Sequence, residues 1–429
     1  MKRLFIVLGA WLLVGAAGIA GAASTASCPE LRETNTLAEV IEIGLCRNPT
    51  TRAGYLGVEI SRLNKNAAYG SFLTASVGAD AAKDLKNGGD WHSGASASAT
   101  LILFDFGKRW SDLSRYAALW KATGFEHDES VQSFVYDIIG AYYGLLSAEA
   151  DLKVSRDLVK VAEEAKSTAD TKFKAGAAAR ADVLKADTTL AGKKTDLQRS
   201  LGNKEIAVGR LLRLLSLPQG TGIKIADMPA EFGTSAEVDD VKKLLDEAER
   251  RRPALLAAAA SRDAAWHGRN AEFLRHLPTL SATGTARRDF TTNMDSTELG
   301  LGVSFPLFTN MISNAYGDRA AILEYERAKE TEAARHDAVA LDVWTAFHNY
   351  KTAVGVLEAT DAQVKSALES ERVVAGMYKV GRATMLDWQT AQTDLSSARR
   401  QNAAAKYDLF VKRAALAMSV GELWLRRGE

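Results

Sequence analysis

The chain has 429 residues, and its 54 basic and 53 acidic residues leave a net charge of +1. A balanced charge produces no field that attracts a polyanion, so the composition gives no reason to expect nucleic acid as a partner. The six histidines show no metal-ligand spacing and no catalytic or dinucleotide-binding motif is present, so we expect neither an enzyme nor a cofactor.

The N-terminus has the form of a secretory signal peptide. Met-Lys-Arg is followed by twenty residues, Leu4 to Ala23, without a charge, and then by small residues. The apolar run is also long enough to remain as an uncleaved membrane anchor, but the small residues at its end favour cleavage. The sequence therefore predicts a signal peptide over residues 1–23 and export of the mature chain.

The two cysteines, Cys28 and Cys46, lie near the start of the exported chain. An oxidising compartment favours a disulfide between them, and closing a loop of about 19 residues contributes roughly 3 kcal/mol by the chain-entropy estimate. The alternative is lipidation of Cys28 after signal removal, but residues 25–27 lack the leucine and the small residue usual before such a cysteine. We expect the disulfide.

Proline is absent between Pro49 and Pro218 and again after Pro306, which permits very long helices. Breaks at Gly and Pro predict helical pieces over residues 36–70, 110–173, 177–216, 237–275, 312–378 and 382–424. A helix of about 65 residues measures roughly 100 Å, so the protein should be elongated. Each long piece and the short piece after it should form a coiled helical hairpin.

Residues 72–106 and 279–308 have a different sequence pattern, in which small and apolar residues alternate with polar ones at period two. Each segment predicts a β-hairpin with a polar turn, at residues 83–90 and 287–295. The strands are about 10 residues long, which is the length of a tilted transmembrane strand, although a small soluble sheet is the alternative.

Four strands cannot close a barrel, and exposed strand edges are not tolerated in a bilayer. Two or three chains would therefore have to share one barrel. Only the wider barrel of three chains leaves an aqueous channel, which favours a trimer if the protein is a conduit.

The chain contains two copies of one structural unit. The motif that begins at Phe173 recurs at Tyr378, an offset of 378 − 173 = 205, with the aromatic residue, Lys, Gly and Asp in register. The predicted organisation is a first repeat over 24–218 (strands about 72–106, hairpin about 110–216), a linker over 219–236, and a second repeat over 237–429 (strands about 279–308, hairpin about 312–424).

This duplicated order of helix, β-hairpin and long helical hairpin resembles the TolC-type outer-membrane factor family, as do both Gly-to-Asp motifs and the segment from Leu37 to Pro49. The resemblance covers nearly all of the mature chain. It implies a mainly α fold with a β membrane part: a homotrimer with one twelve-stranded β-barrel in outer-membrane lipid, continued by an α-helical barrel.

The function implied by the resemblance is an exit duct of a tripartite export system. Its partners would be a periplasmic adaptor and an inner-membrane ABC or proton-driven transporter. Cys28 and the Leu-Cys-Arg-Asn-Pro segment resemble family members that serve type I protein secretion. This resemblance favours secretion, and drug or metal efflux is the alternative. A further alternative is an elongated periplasmic coiled-coil scaffold without a barrel, but adaptors have one helical hairpin where this chain has two.

The resemblance also assigns roles to individual residues. Gly176, Ala177, Gly381 and Arg382 would lie in the hairpin turns that contact the adaptor. Asp387 with Thr390 would form the channel constriction, and Tyr378 and Arg382 would belong to a network that holds the closed state. Simpler interpretations exist, because glycine ends many helices in a left-handed cap and an acid is favoured in the first turn of a helix. We prefer the helix-start role for Asp182 and the constriction for Asp387.

Overall fold

The computed structural model describes residues 28–83, 91–226, 240–305 and 311–423. The predicted signal peptide, the turn after Lys83 and most of the predicted linker lie outside these residues. The described elements, in chain order, are α1 Leu37–Arg47, α2 Pro49–Ala68, β1 Leu73–Lys83, β2 Trp91–Phe104, α3 Lys108–Lys174, α4 Arg180–Leu214, α5 Val241–Arg251, α6 Pro253–Leu274, β3 Thr279–Asp289, β4 Met294–Ser304, α7 Met311–Lys379 and α8 Met385–Val420.

Two predicted helices are each divided at a proline. The sequence predicts single helices over 36–70 and 237–275, but the structure ends the first at Arg47 and the other at Arg251. Asn48 and Arg252 adopt extended backbone, with ψ of 125° and 115°, because the residue before a proline avoids the helical region. Proline then starts the next helix, where its missing N–H is no loss.

The two long helices are each flanked by two shorter ones. α3 has 67 residues, and α2 packs along its first part, where the Lys65 ammonium lies 3.9 Å from the Trp120 ring centroid. α4 packs along the remainder of α3. α7 has 69 residues and packs in the same way against α6 and α8. None of the described helices is both long enough and apolar enough to cross a membrane.

The main core lies where α1 crosses α3, α4 and α8. Val40, Ile43, Ile138 and Leu211 are fully buried there. A smaller core repeats this arrangement in the second half, where α5 packs on α7 around Val343. Ile138 and Val343 are 205 positions apart, so the repeat found in the sequence is also a repeat of packing.

The four strands form one antiparallel sheet in the order β1-β2-β3-β4. β2 pairs with β3, which joins the hairpins of the two repeats. The register aligns apolar residues on one face, in rows such as Leu73, Leu101, Ala282 and Leu301. The other face is polar, and its rows are Thr74, Thr100, Thr283 and Gly300, and Ser76, Ser98, Thr285 and Glu298.

In the part of the chain that the structure describes, no further strand pairs with the outer strands of the sheet, β1 and β4. β1 and β4 are exposed along their whole length, and the Leu299 side chain is 91% exposed. Hydroxyls bridge neighbouring strands on the polar face, where Ser76 and Ser98 Oγ are 2.8 Å apart. The sheet is therefore amphipathic, with one apolar face and two open edges.

The N-terminal segment is fastened to the helical body at two places. Cys28 and Cys46 are joined by a disulfide, with Cα atoms 5.7 Å apart and a sequence separation of 18. Asn35 is buried and pairs with Ile225 in a parallel bridge, in which the Asn35 N–H donates to the Lys224 carbonyl at 3.0 Å. The first part of the predicted linker thus packs against the start of α1.

We expect non-reducing peptide mapping of the mature protein to recover one peptide pair that contains Cys28 and Cys46. Cys46→Ser should lower the free energy of unfolding by about 3 kcal/mol, because the loop is no longer constrained in the unfolded chain. The double variant with Cys28→Ser is the control and should be no less stable than the single one. An acylated Cys28, or two thiols alkylated without reductant, would contradict the pairing.

Candidate functional site at the hairpin ends

Both helical hairpins turn at a glycine in the left-handed region. Gly176 has φ of 72° and Gly381 has φ of 77°. The turns share one hydrogen-bond pattern, since Ala177 N–H donates to the Lys172 carbonyl and Arg382 N–H to the Met377 carbonyl, each at 2.8 Å. Side chains with a Cβ rarely adopt this backbone, so both glycines are required by the turn itself. Both turns are exposed, so they are also free to contact a partner.

Asp387 has a defined structural role at the start of α8. Its Oδ2 accepts hydrogen bonds from the Thr384 backbone N–H at 2.9 Å and from the Thr384 hydroxyl at 2.7 Å. The Asp387 N–H donates in return to the Thr384 hydroxyl at 3.2 Å, which completes a capping box. These bonds from the Thr384 hydroxyl and backbone lower the pKa of Asp387 below its ordinary value. The carboxylate is exposed and ionised at neutral pH.

The repeat-equivalent acid has a similar position. The Asp182 carboxylate accepts from the Ala179 N–H at 3.3 Å at the start of α4. Ala179 has no hydroxyl, so this cap lacks the side-chain bond that Thr384 gives to Asp387. One turn along α8, the Thr390 hydroxyl donates to the Leu386 carbonyl of its own helix at 2.9 Å. Within the described residues Arg382 is exposed and forms no ion pair, so it is not joined to Asp387 or Tyr378.

Tyr378 lies inside a cluster that joins the two hairpins. Its ring stacks on Trp388 with centroids 5.1 Å apart, and only 7% of the residue is exposed. Lys172, from the other hairpin, lies 3.9 Å from the Tyr378 ring centroid and donates to its backbone carbonyl at 3.1 Å. Burial, followed by the nearby Asp182 carboxylate, raises the pKa of the Tyr378 phenol. The Trp388 indole N–H donates to Glu371 at 3.1 Å.

Three of these residues were not singled out from the sequence: Lys172, Trp388 and Glu371. Lys172 directly precedes the first motif, and the corresponding position before the second motif is Met377. A difference between two copies of a repeat is a signal that this position has a role in only one copy. Trp388 directly follows Asp387, but the sequence alone does not indicate that its ring packs on Tyr378.

Comparison with known proteins identifies the family to which this chain belongs. A profile of the outer membrane efflux protein family matches residues 69–216 and 244–422, which is most of the chain. The chain belongs to this family. Its members form channels, so the protein is an outer membrane efflux channel of the TolC type and is situated in the outer membrane of a Gram-negative cell.

Individual relatives cover nearly the whole chain. Outer membrane protein TolC of Escherichia coli (strain K12) is 24% identical over 422 residues, covering 92% of this chain and 83% of TolC. Protein CyaE of Bordetella pertussis is 23% identical over 400 residues, covering 90% of this chain and 84% of CyaE. The solved structure of the outer-membrane channel OprN superposes with a TM-score of 0.79 at 19% identity, covering 94% of this chain and 96% of OprN. That structural likeness confirms the predicted fold class.

Removal of the Thr384 hydroxyl should weaken the start of α8 and raise the pKa of Asp387. The folded pKa lies below the unfolded value, so this carboxylate stabilises the fold above the unfolded pKa and the effect is lost as pH falls through the folded pKa. Loss of a helix N-cap typically costs about 1 kcal/mol, so Thr384→Ala should exchange the first amides of α8 about fivefold faster at neutral pH.

The measurement is hydrogen–deuterium exchange of the peptide over residues 384–390, corrected for the intrinsic effect of pH. The pH at which protection is lost should be higher in Thr384→Ala than in the wild type. Thr390→Ala is the matched control, because its hydroxyl bonds only to its own helix. Equal behaviour of the two variants would show that the capping box does not hold Asp387.

Proposed function

We propose that three copies of this chain form a passive exit channel of a tripartite export system. In this proposal the sheets of three chains share one barrel in the outer membrane, and the helical hairpins continue the duct into the periplasm. A periplasmic adaptor and an inner-membrane transporter open it from the hairpin ends.

The amphipathic four-stranded sheet is the observation that carries the proposal. Its apolar rows suit lipid, and its hydroxyl rows, with the ion pair of Arg287 and Asp80 at 3.0 Å, suit a water-filled lumen. The backbone groups on the open edges of β1 and β4 need partners in a bilayer, and strands of other copies supply them. Three copies give twelve strands, which is wide enough for an aqueous pore.

The hairpin ends are proposed as the entrance. The exposed turns at Gly176, Ala177, Gly381 and Arg382 are where an adaptor would dock. Three-fold symmetry would bring three copies of Asp387 around one axis, with Thr390 one turn further along. Because the hydrogen bonds from Thr384 favour the ionised form, each copy would contribute a negative charge to this ring.

For the transported material we propose proteins, exported by a type I system with an ABC transporter. The support is the resemblance of Cys28 and the segment around Cys46 to secretion members of the family, together with the pairing of these cysteines. Deletion of the gene in its native host should remove a secreted protein from the culture medium and leave drug and metal tolerance unchanged. Normal secretion with increased sensitivity to drugs or metals would favour efflux instead.

A charge on the lipid-facing side of the sheet should prevent assembly. Leu299→Lys puts an ammonium on the apolar face of β4, which costs about 2–4 kcal/mol at the bilayer midplane and less near its surfaces. We expect the heat-sensitive trimer on SDS gels of outer membranes to be strongly reduced. Glu298→Lys is the matched control on the opposite face and should assemble normally. Equal assembly of both variants, or a soluble monomer in the wild type, would contradict the shared barrel.

The ring of Asp387 should make the entrance cation-selective and sensitive to block by multivalent cations, since a cation between like charges relieves their repulsion. In planar bilayers, Asp387→Asn should weaken both properties, and Asp182→Asn should leave them unchanged. Thr390 adds no charge, so block should be weaker than in a channel with two acidic rings. If multivalent cations block the Asp387→Asn channel as strongly as the wild type, the carboxylate only stabilises the start of its helix.

A further inference from the structure

The helices α2, α3, α6 and α7 lie side by side in one layer, with a cavity on each face. The larger cavity has a volume of about 1630 Å³ and is lined on α6 by small residues, among them Ala264 and Gly268. The smaller one is a groove of about 540 Å³ between α6 and α7, lined on α6 by Arg262, Asp263 and Trp266. Trp266 lies two positions from both Ala264 and Gly268, which places it on the opposite side of the helix.

The groove lies on the outer face of the proposed channel. On α3 the larger cavity is lined by Ser133 and Asp137, whereas α1 packs against Val135 and Ile138 from the other side. In a ring of three layers the face that holds α1 cannot enclose the duct, because α1 would obstruct it. In that channel the larger cavity therefore faces the lumen, and the groove between α6 and α7 faces outward into the periplasm.

The groove combines an exposed indole with polar and aromatic neighbours. At one end Arg262 donates to the two oxygens of Glu332 at 3.0 and 2.9 Å. At the other end the Arg269 guanidinium lies 5.2 Å from the Tyr325 ring centroid. Trp266 lies between these two contacts along α6 and is 41% exposed. A ligand in the groove would thus meet an ion pair, an indole and a phenol ring in succession.

The charged groups of the groove balance one another. Arg262 also donates to Asp263 at 2.8 Å, and Lys329 is a second cation, so the described lining has two cations beside the anions Asp263 and Glu332. A nucleic acid or an acidic peptide would find no net field to attract it to this lining. A sugar suits it, because sugar hydroxyls bond to guanidinium and carboxylate groups while the C–H faces of the ring pack on aromatic rings.

The contact between Arg269 and Tyr325 is a structural brace that both repeats share. The shift between the repeats takes these residues to Lys65 (269 − 65 = 204) and Trp120 (325 − 120 = 205). There the Lys65 ammonium lies 3.9 Å from the Trp120 ring centroid. A cation–π contact at the same place in both copies is explained by packing of the paired helices, so it needs no ligand.

Trp266, in contrast, belongs to the second repeat alone. The shift of 204 positions takes it to Arg62, which forms an ion pair with Glu59 of its own helix at 2.7 Å. The repeated unit therefore packs without a tryptophan at this place. A neighbouring copy would not cover Trp266 either, because α6 has α3 on one side and α7 on the other within its own chain.

We propose that this groove binds the glycan strands of the cell wall through their N-acetylated amino sugars. The proposal rests on the proposed channel, in which these helices leave the outer membrane and enter the compartment that contains this polymer. One sugar ring would pack on the Trp266 indole, with its hydroxyls bonded to Arg262 and Glu332, and the next sugar would contact the Tyr325 ring. Three copies would give three grooves, so that one channel binds the polymer with avidity.

Co-sedimentation of the purified protein with protein-free cell-wall sacculi tests the proposal. The soluble competitors are tetra-N-acetylchitotetraose, which represents the glycan, and the free stem peptide of the wall. The variants are Trp266→Ala and Trp266→Phe, with Trp344→Ala as the matched control. Trp344 is 50% exposed and contacts the neighbouring His348 ring with centroids 4.6 Å apart, much as Trp266 contacts His267 at 4.8 Å. Unheated SDS gels record the oligomeric state of every sample.

We expect the wild type to sediment with the sacculi and tetra-N-acetylchitotetraose to release it. Trp266→Ala should weaken binding about tenfold, because the apolar contact between the indole and the sugar is lost. Trp266→Phe should retain most of the binding, since phenylalanine still offers an aromatic face to the sugar. Trp344→Ala should bind as the wild type does.

A trimer that does not sediment with sacculi would overturn the inference and leave the proposed channel standing. The same holds if Trp266→Ala binds as well as the wild type, or if Trp344→Ala loses as much binding as Trp266→Ala. Release by the stem peptide alone would also overturn it, because the wall would then be recognised through its peptides. A monomer that binds sacculi through Trp266 would support the groove and contradict the proposed channel.

Discussion

Backbone hydrogen bonding at the edges of the sheet is the constraint on which the rest of this structure depends. The meander β1-β2-β3-β4 satisfies the backbone groups of its inner strands, and within the described residues the outward groups of β1 and β4 have no strand partner. In a bilayer no water replaces that partner. In the proposed channel, the amphipathic sheet with its open edges is one part of a closed barrel, and the single chain is one part of the channel.

The helical part of the chain is also built from two repeated units. Each long helix has one shorter helix along its first part and another along the remainder, and the repeat sets two such bodies side by side. The repeat does not preserve side-chain chemistry, because the position of Asp151 is held by Val356 in the second copy. Asp151 lies in a polar network with Ser155 and Arg400, whereas Val356 is 45% exposed.

Much of the fold follows from local sequence signals. Long proline-free segments predict α3 and α7, period-two alternation predicts all four strands, and glycine predicts the turns at Gly176 and Gly381. The divisions at Pro49 and Pro253 were missed because each proline was included within a helix, whereas it is the first residue of a new one. The helix-start role of Asp387 was predictable from Thr384 three residues before it, which is the spacing of a capping box.

Contacts between distant segments were not predictable in the same way. The cluster of Lys172, Tyr378 and Trp388 depends on the rotation of three helices about their axes, which no local pattern specifies. The polar network at Asp151 and Arg400 brings together residues about 250 positions apart, and charged residues on long helices are usually solvated. The offset between the repeats was available from the sequence, but only the structure shows which copy of each position is covered.

The central claim is that strands of neighbouring copies satisfy the open edges of this sheet. Electron cryomicroscopy of the protein, extracted from the outer membrane into lipid nanodiscs, tests it most directly. The account predicts three chains around one axis, with β4 of each chain hydrogen-bonded to β1 of the next in a closed barrel of twelve strands. A particle with fewer chains, or with β1 and β4 facing lipid unpaired, would contradict it.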